Sequence, residues 1–238
     1  FENTKYRPST IGEIFNNGEN PLFAEPMLEP EVDGYTVDRV YAPKSFAGWK
    51  ASDGTVYGLY DDIPNTVTEL TAVWQDAKVV FVSDSQGDNS NDGTLPDKAV
   101  KDLETAYSKL DVDGTATNNI IVIMDAVEYD SDDTLSGNAT ITSLYAGVDY
   151  EAQGAELKIS SDMIIHGSTI FDNIELYVSS ENNKLISNYS GDITIGRGVT
   201  TPTDKYTFGA IVGGNFEPTT PSTGELGTRT IRVEAGKY

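Results

Sequence analysis

Residues 156–176 give the clearest indication of the fold. They contain three short runs, Glu-Leu-Lys-Ile (156–159), Met-Ile-Ile (163–165) and Thr-Ile-Phe-Asp-Asn-Ile-Glu-Leu (169–176). β-Branched and aromatic residues favour strands, whereas the intervening Gly, Asn, Asp and Ser favour turns. Strands this short, each followed by a turn, are typical of a solenoid with three-sided coils, in which every coil stacks on its neighbours.

The same pattern extends over residues 119–238. Further β-rich runs lie at Ile120–Met124, Ala139–Thr142, Lys184–Ile186, Asp192–Ile195, Phe208–Val212 and Thr230–Val233. Their spacing is irregular, so the solenoid has no tight repeat. A β-sandwich is the alternative, and it needs longer alternating strands joined by hairpins. The pattern favours the solenoid, with Ile174 and Ile195 among its stacked, buried aliphatic residues.

Residues 77–110 read as a strand, a loop and a helix. Val79–Val82 is a buried-strand run, and an Asn-Asp-Gly loop ending at Gly93 follows it. Apolar residues then recur at helical spacing over 99–110, with Asp97 as the predicted N-cap. This order resembles the N-terminal cap of pectate-lyase-like right-handed β-helix proteins. The resemblance implies that 77–238 is a right-handed parallel β-helix with a short N-terminal capping helix, which shields an open sheet edge.

Residues 35–76 have a different character. Phe46-Ala-Gly-Trp-Lys50 precedes a turn at Ser52-Asp-Gly54, and the segment ends with Leu70-Thr-Ala-Val-Trp74. This order resembles the Listeria–Bacteroides repeat, also called the internalin B-type repeat. The resemblance implies a small β-grasp-like spacer module at 35–76 with both tryptophans in its core. The whole chain is therefore predicted to be all-β.

Residues 1–34 show little periodicity. Pro21, Pro26 and Pro30 interrupt stretches rich in Asn and Glu, and proline both fixes φ and removes a backbone donor. We predict that 1–34 is an extended leader or linker. At the other end, Arg229–Tyr238 reads as an unfinished strand and turn, so the β-helix is expected to be truncated at its C-terminus.

Charge and cysteine content restrict the partners and the compartment. The 238 residues include 16 Lys+Arg and 38 Asp+Glu, a net charge of −22. Nucleic acid and anionic membranes are disfavoured, because phosphate binding needs clustered cations. A polyanionic polysaccharide would be repelled unless a cation bridged it to the protein. No apolar run approaches the ~18–20 residues that span a bilayer, so membrane insertion is not expected.

The chain has no cysteine, which excludes disulfides, thiolate catalysis and Cys-based zinc sites. This composition is compatible with the exterior of a Gram-positive bacterium. Because Phe1 is not an initiator Met, the chain is expected to be a processed or shortened piece. We expect an extracellular or cell-surface bacterial protein that is a monomer.

Calcium is the cofactor that so acidic a chain suggests first. Residues 88–93 (Asp-Asn-Ser-Asn-Asp-Gly) match the first half of an EF-hand-like loop, but Ala99 stands where a bidentate Glu is required. The motif therefore fails as an EF-hand. Asp84, Asp88 and Asp92, with backbone carbonyls, remain candidate calcium ligands, and a solvated turn is the alternative.

A second acidic cluster, formed by Asp125, Asp130, Asp132 and Asp133, reads as a surface loop. The sequence supplies no assignable catalytic set. A glycoside hydrolase needs two carboxyl groups at a defined separation, and Asp132 and Asp133, as sequence neighbours, would point to opposite faces of a strand. His166, the only histidine, is expected to be a partly exposed turn residue.

These observations favour a non-catalytic surface protein that adheres or binds a glycan through a β-helix presented by a spacer module. Its partner would be a polysaccharide or a surface glycan, and the sequence names no ligand-binding residue. Two alternatives stay open. One is a secreted polysaccharide lyase or glycoside hydrolase in truncated form, and the other is a stalk with a purely structural role.

Overall fold

The structure is a computed structural model, which describes residues 44–58, 61, 63–110, 119–146, 148–188, 191–214 and 230–236. Its contacts divide the chain into two compact units. One unit is Phe1–Ala77 with Tyr145–Gly147, and the other is Lys78–Leu144 with Val148–Tyr238. The predicted leader, 1–34, lies outside the described residues, and the domain boundaries predicted from the sequence stay predictions.

The first unit contains an antiparallel sheet in the order β2-β1-β3. Its strands are β1 (Lys44–Ala51), β2 (Val56–Tyr57) and β3 (Leu70–Asp76). Trp49 and Ile63 are buried at the centre of its apolar cluster. The prediction that Trp49 is a core residue is confirmed, whereas the side chain of Trp74 lies outside the described part of the chain.

The Gly48-Trp49 pair has a steric explanation. A Cβ atom at Gly48 would lie 2.4 Å from the carbonyl oxygen of Tyr57 on the neighbouring strand, and φ at Gly48 is 144°. Only glycine fits here, because L-residues rarely adopt this φ and the two backbones approach closely. The register of β1 on β3 also shifts between Phe46 and Gly48, as at a β-bulge.

The second unit consists mainly of short strands, of which the one at Leu144–Tyr145 continues into a segment of the first unit. In chain order they are β4 (Lys78–Val82), β5 (Asn119–Ile123), β6 (Ala126–Tyr129), β7 (Thr134–Ser136), β8 (Ala139–Thr142), β9 (Leu144–Tyr145), β10 (Val148–Asp149), β11 (Glu156–Ile159), β12 (Met163–His166), β13 (Thr169–Phe171), β14 (Ile174–Val178), β15 (Lys184–Asn188), β16 (Ile193–Ile195), β17 (Val199–Thr200), β18 (Ala210–Gly214) and β19 (Ile231–Val233). One α-helix, α1 (Leu103–Ser108), and two 3-10 helices, Pro96–Lys98 and Glu151–Gln153, complete the described elements. A membrane span would need a far longer apolar helix than any in the described residues.

Three parallel sheets organise the described part of this unit. Sheet A has the order β19-β16-β13-β8-β5-β4, sheet B β17-β14-β11-β6 and sheet C β18-β15-β12-β7. Consecutive strands enter sheets B, C and A in rotation, as β6-β7-β8, β11-β12-β13, β14-β15-β16 and β17-β18-β19. We call each such set of three strands a cycle. The all-β prediction is confirmed, and the sheets named here are parallel, unlike those of a β-sandwich.

In-register pairing stacks apolar side chains into columns. One column crosses sheet A through Val80, Ile121, Ile141, Phe171 and Ile195, all fully buried. A second crosses sheet B through Val127, Leu157 and Leu176. Ile174 and Ile195 are both 0% exposed, as predicted. The continuous apolar runs of β4 and β5 are also explained, because residues on both sides of these two strands are buried.

Helix α1 contributes to the same core, but it begins later than predicted. Asp102 is its N-cap, accepting a hydrogen bond from the Thr105 N–H at 2.8 Å, so the assignment of Asp97 as N-cap is wrong. Asp97 lies in a separate 3-10 helix. The chain then extends at Val100, which forms a parallel bridge with Val82, and an extended residue cannot belong to the helix.

The stacked columns predict which aliphatic truncations destabilise the second unit. Ile174→Ala and Ile195→Ala should each lower the free energy of unfolding by about 2–5 kcal/mol, because each leaves a cavity in the core. Ile231→Ala is the matched control, since Ile231 is 41% exposed, and it should cost much less. Urea unfolding followed by circular dichroism measures all three. Equal losses at buried and exposed positions would contradict the columns.

Candidate functional site

The outer side of sheet B carries the polar side chains that form the candidate site. Neighbouring residues of a strand point to opposite sides of the sheet, so the residues between the buried positions of β6, β11, β14 and β17 face outward. We call this set the polar face. It consists of Glu128, Glu156, Lys158, Glu175, Tyr177 and Thr200.

Register arranges the polar face in two rows that cross the strands. Glu128 pairs with Lys158, which pairs with Tyr177. In the second row, Glu156 pairs with Glu175, which pairs with Thr200. Paired strands lie about 4.8 Å apart, so successive side chains of a row are in contact range.

The first row is held by an ion pair. Lys158 Nζ lies 2.8 Å from Glu128 Oε1, and Ser160 Oγ donates to the same oxygen at 2.5 Å. These two hydrogen bonds lower the pKa of Glu128 below its ordinary value. Because both side chains are partly exposed to water, which screens the charges, this pair positions the side chains and contributes little to stability.

Tyr177 connects the two rows. Its hydroxyl donates to Glu156 Oε1 at 2.8 Å. Burial raises the pKa of Tyr177 to about 12, and the hydrogen bond to Glu156 and nearby negative charges add to this effect. Tyr177 therefore remains a neutral donor over the whole physiological range, with its half-buried ring beside the carboxyl groups.

The second row places two acidic side chains at directly paired positions of adjacent strands. Burial raises the pKa of Glu175, and the charge of Glu156 and a hydrogen bond to it raise that pKa further, with a smaller contribution from Glu151. Glu151 itself accepts a hydrogen bond from Thr200 Oγ1 at 2.8 Å. Glu156 and Glu175 are the carboxyl pair that inspection of the sequence did not find. They stand one cycle apart, each directly before a buried leucine (Leu157 and Leu176), and that shared position is the only sequence signal.

This geometry bears on the chemistry of the pair. A retaining glycosidase holds its two carboxyl groups about 5–5.5 Å apart, and an inverting one holds them farther apart, so that substrate or water fits between them. The register by itself sets neither separation for Glu156 and Glu175, which project from directly paired positions. The polar face offers hydrogen-bond donors, acceptors and an aromatic ring in rows that the register fixes.

The calcium candidates lie on an exposed loop between β4 and α1. Asp88 Oδ1 accepts from the Ser90 N–H at 2.8 Å, and Asp92 Oδ1 accepts from the N–H and hydroxyl of Thr94 at 3.0 and 2.7 Å. These hydrogen bonds lower the pKa of both Asp88 and Asp92. Asp84 Oδ1 lies 3.9 Å from Lys101 Nζ.

Within the described ranges, no three His, Cys, Asp or Glu side chains are grouped as metal ligands. Calcium binding by Asp84, Asp88 and Asp92 stays a prediction. The amides of the same loop have a structural role. Asn91 Nδ2 donates to the Ala99 carbonyl at 2.9 Å, and Asn89 Oδ1 accepts from the Lys101 N–H at 2.8 Å.

Asp125 holds the start of this loop against the end of β5. Its carboxylate accepts hydrogen bonds from Ser83 Oγ (2.7 Å), the Asp84 N–H (2.9 Å) and both the N–H and the hydroxyl of Ser85 (3.2 and 2.5 Å). Asp125 is a partly exposed residue of the bend between β5 and β6, so it lies in a loop as predicted, and its structural role is additional. The long sequence separation between Asp125 and its partners hid this role.

The other members of the second acidic cluster, and the histidine, are exposed as the sequence predicts. Asp130, Asp132 and Asp133 are exposed, as expected of a surface loop. His166 is exposed at the end of β12. Arg197 and Arg232 each lie 3.4 Å from a carboxylate oxygen of Glu234.

Comparison of the chain with models of known families, with curated proteins and with solved structures finds no match.

Asp125 supplies a test of the loop anchor. Asp125→Ala should lower the free energy of unfolding of the second unit by about 1–3 kcal/mol, because four donors lose a charged acceptor. Asp132→Ala, which removes an exposed carboxylate, is the matched control and should have little effect. Thermal unfolding and amide hydrogen exchange of residues 83–85 measure the result. Unchanged exchange at these amides would contradict the anchoring role.

Proposed function

We propose that the second unit is a right-handed parallel β-helix whose polar face binds a glycan. The rotation of consecutive strands through three parallel sheets supports this fold, because a chain that returns to the same sheet once per cycle winds as a solenoid. Connections between parallel strands of one sheet are right-handed in about 98% of cases, which supports the handedness. α1, whose buried residues pack into the core at the start of the unit, corresponds to the predicted capping helix.

The observation that carries the binding proposal is the pair of rows on the polar face. Glycans present hydroxyl groups on both sides of their rings, and they are recognised by carboxylates, amines and aromatic rings held in fixed positions. Glu128, Lys158 and Tyr177 supply one group of each kind in a single row. The strands that carry Lys158 and Tyr177, β11 and β14, are paired on both sides, whereas β6, which carries Glu128, pairs with β11 alone in the described sheet. The backbone therefore holds Lys158 and Tyr177 in place before a ligand arrives.

Charge restricts the class of glycan. The chain carries a net charge of −22, and the polar face and its edge contain four carboxyl groups and one lysine. A polyanionic chain would be repelled unless a cation bridged it to the face. We therefore propose a neutral or amine-bearing polysaccharide or surface glycan.

The remaining features fit a non-catalytic role outside the cell. The first unit combines a three-stranded sheet with the Gly48-Trp49 and Asp53-Gly54 patterns of the spacer repeat, and we propose that it presents the second unit on the surface of a Gram-positive bacterium. A purely structural stalk would not need the ordered rows of the polar face.

Tyr177 provides the test of this proposal. In affinity retention on insoluble neutral, amine-bearing and acidic polysaccharides, with calcium and with a chelator, the wild-type chain should be retained without soluble products. Tyr177→Ala should weaken binding by roughly ten-fold or more, since it removes the ring from the centre of the face. Tyr177→Phe keeps the ring and loses only the hydroxyl, so its loss should be smaller.

Glu181→Gln is the matched control, because Glu181 is exposed in the turn after β14, away from the polar face. Equal retention of wild type and Tyr177→Ala would place binding elsewhere on the chain. Soluble products with an unsaturated end would identify a lyase and overturn the proposal. Absence of retention on every polysaccharide would favour the stalk.

A further inference from the structure

The core columns of sheet A end on side chains that remain exposed. Ile231 and Val233 on β19 pair in register with Ile193 and Ile195 on β16, which are fully buried. Alternate residues of paired strands share a side of the sheet, so Ile231 and Val233 face the core side. They are nevertheless 41% and 46% exposed. Within the described sheet, the last member of each column therefore has a neighbour on one side only.

β19 is also an edge strand that is held in place along its length. In the described part of sheet A it pairs with β16 alone. Just before it, the Thr230 N–H donates to Asp192 Oδ1 at 2.7 Å, and just after it, the Glu234 N–H donates to the Ile195 carbonyl at 2.9 Å. An ordered edge strand that exposes apolar side chains is a template for pairing with a further strand.

The charged residues on either side of Val233 make this edge complementary to itself. Arg232 precedes Val233 and Glu234 follows it, and both are half-buried. In an antiparallel pairing of two β19 strands about a two-fold axis at Val233, Arg232 lies opposite the partner's Glu234, and Glu234 lies opposite the partner's Arg232. Opposite charges at directly paired positions are favourable, and the two-fold axis repeats the contact.

The local charge does not oppose such a contact. The chain as a whole carries a net charge of −22, which repels a second copy. At this edge, however, Asp192 and Glu234 are balanced by Arg197 and Arg232, each of which lies 3.4 Å from a carboxylate oxygen of Glu234. These described side chains therefore add no net repulsion between two copies that meet here.

We propose that the β19 edge is a dimer interface, in which two copies of the chain pair their β19 strands antiparallel about a two-fold axis at Val233. The occupant of the edge is a second copy because the order Arg232, Val233, Glu234 is complementary to itself. Each copy then covers the exposed Ile231 and Val233 of the other and continues the apolar columns of sheet A. A dimer replaces the monomer that the sequence predicts. The inference goes beyond the glycan proposal and does not depend on it.

Sedimentation velocity of the full chain over a range of concentrations tests the interface. The wild-type chain should dimerise as its concentration rises. Val233→Lys should raise the Kd of the dimer by roughly ten-fold or more, because two like charges would meet at the axis. Val148→Lys is the matched control, since Val148 is an exposed valine on β10, and it should leave the Kd unchanged. Circular dichroism of each variant verifies that it is folded.

Mixing two charge variants tests the register. Arg232→Glu and Glu234→Arg should each self-associate more weakly than wild type, because each variant would place like charges in both cross-strand pairs. An equimolar mixture of the two variants should recover the dimer, since every cross-strand pair then joins opposite charges. A loss caused only by the broken pair between Arg232 and Glu234 within one chain would not be recovered by mixing.

Several outcomes would overturn the inference. One is a wild-type chain that stays monomeric at every concentration. Another is a dimer that Val233→Lys leaves intact, which would place the interface on a different surface. A third is a mixture of the two charge variants that stays monomeric, which would exclude the antiparallel register about Val233. Species larger than a dimer would also overturn it, because a two-fold contact closes on itself.

Discussion

In-register pairing of parallel strands is the constraint on which the second unit depends. Each backbone pairing in sheets A, B and C places a residue directly beside its counterpart one cycle earlier and one cycle later. A side chain on an inner strand therefore lies beside two others, which occupy the equivalent position in the preceding and the following cycle. Inside, this yields continuous apolar columns such as Ile141–Phe171–Ile195, and outside it yields rows of polar groups. The core and the polar face result from the same register, because alternate residues of one strand belong to each.

At the β4 end of sheet A, where the stacking of strands stops, other elements complete the core. At β4, the chain turns back through Val100, which pairs with Val82, and α1 then places Leu103, Ala106 and Tyr107 into the core. The Tyr107 hydroxyl lies 3.3 Å from Thr169 Oγ1 on β13, so α1 reaches beyond the first cycle. The loop before α1 is held by Asp125. An acidic, Asn-rich segment thus forms hydrogen bonds that shape the start of the fold.

On the polar face, register brings together groups that attract and groups that repel. Lys158 opposite Glu128 is a favourable cross-strand pair, whereas Glu175 opposite Glu156 is an unfavourable one. Proteins tolerate an unfavourable pair more readily on a half-exposed surface, where water screens it, than in the core. The ring of Tyr177 and the paired cation of Lys158 are the groups on which the glycan proposal rests.

Local patterns of side-chain size and polarity were enough to predict a strand-rich fold with short strands. The same patterns predicted the burial of Ile174, Ile195 and Trp49 and the exposure of His166. The net charge of −22 also underlies the expectation about partners, which stays a prediction. Contacts between residues that are far apart in the sequence come only from the tertiary structure. Asp97 and Asp102 are equally plausible N-caps until Val100 is seen to pair with Val82. Asp125 lies in a loop, and its role as an anchor is evident only from the hydrogen bonds that Ser83 and Ser85 donate to it. Glu156 and Glu175 become a pair only through the register of β11 on β14, since contacts between residues a whole cycle apart depend on irregular turn lengths that no local pattern encodes.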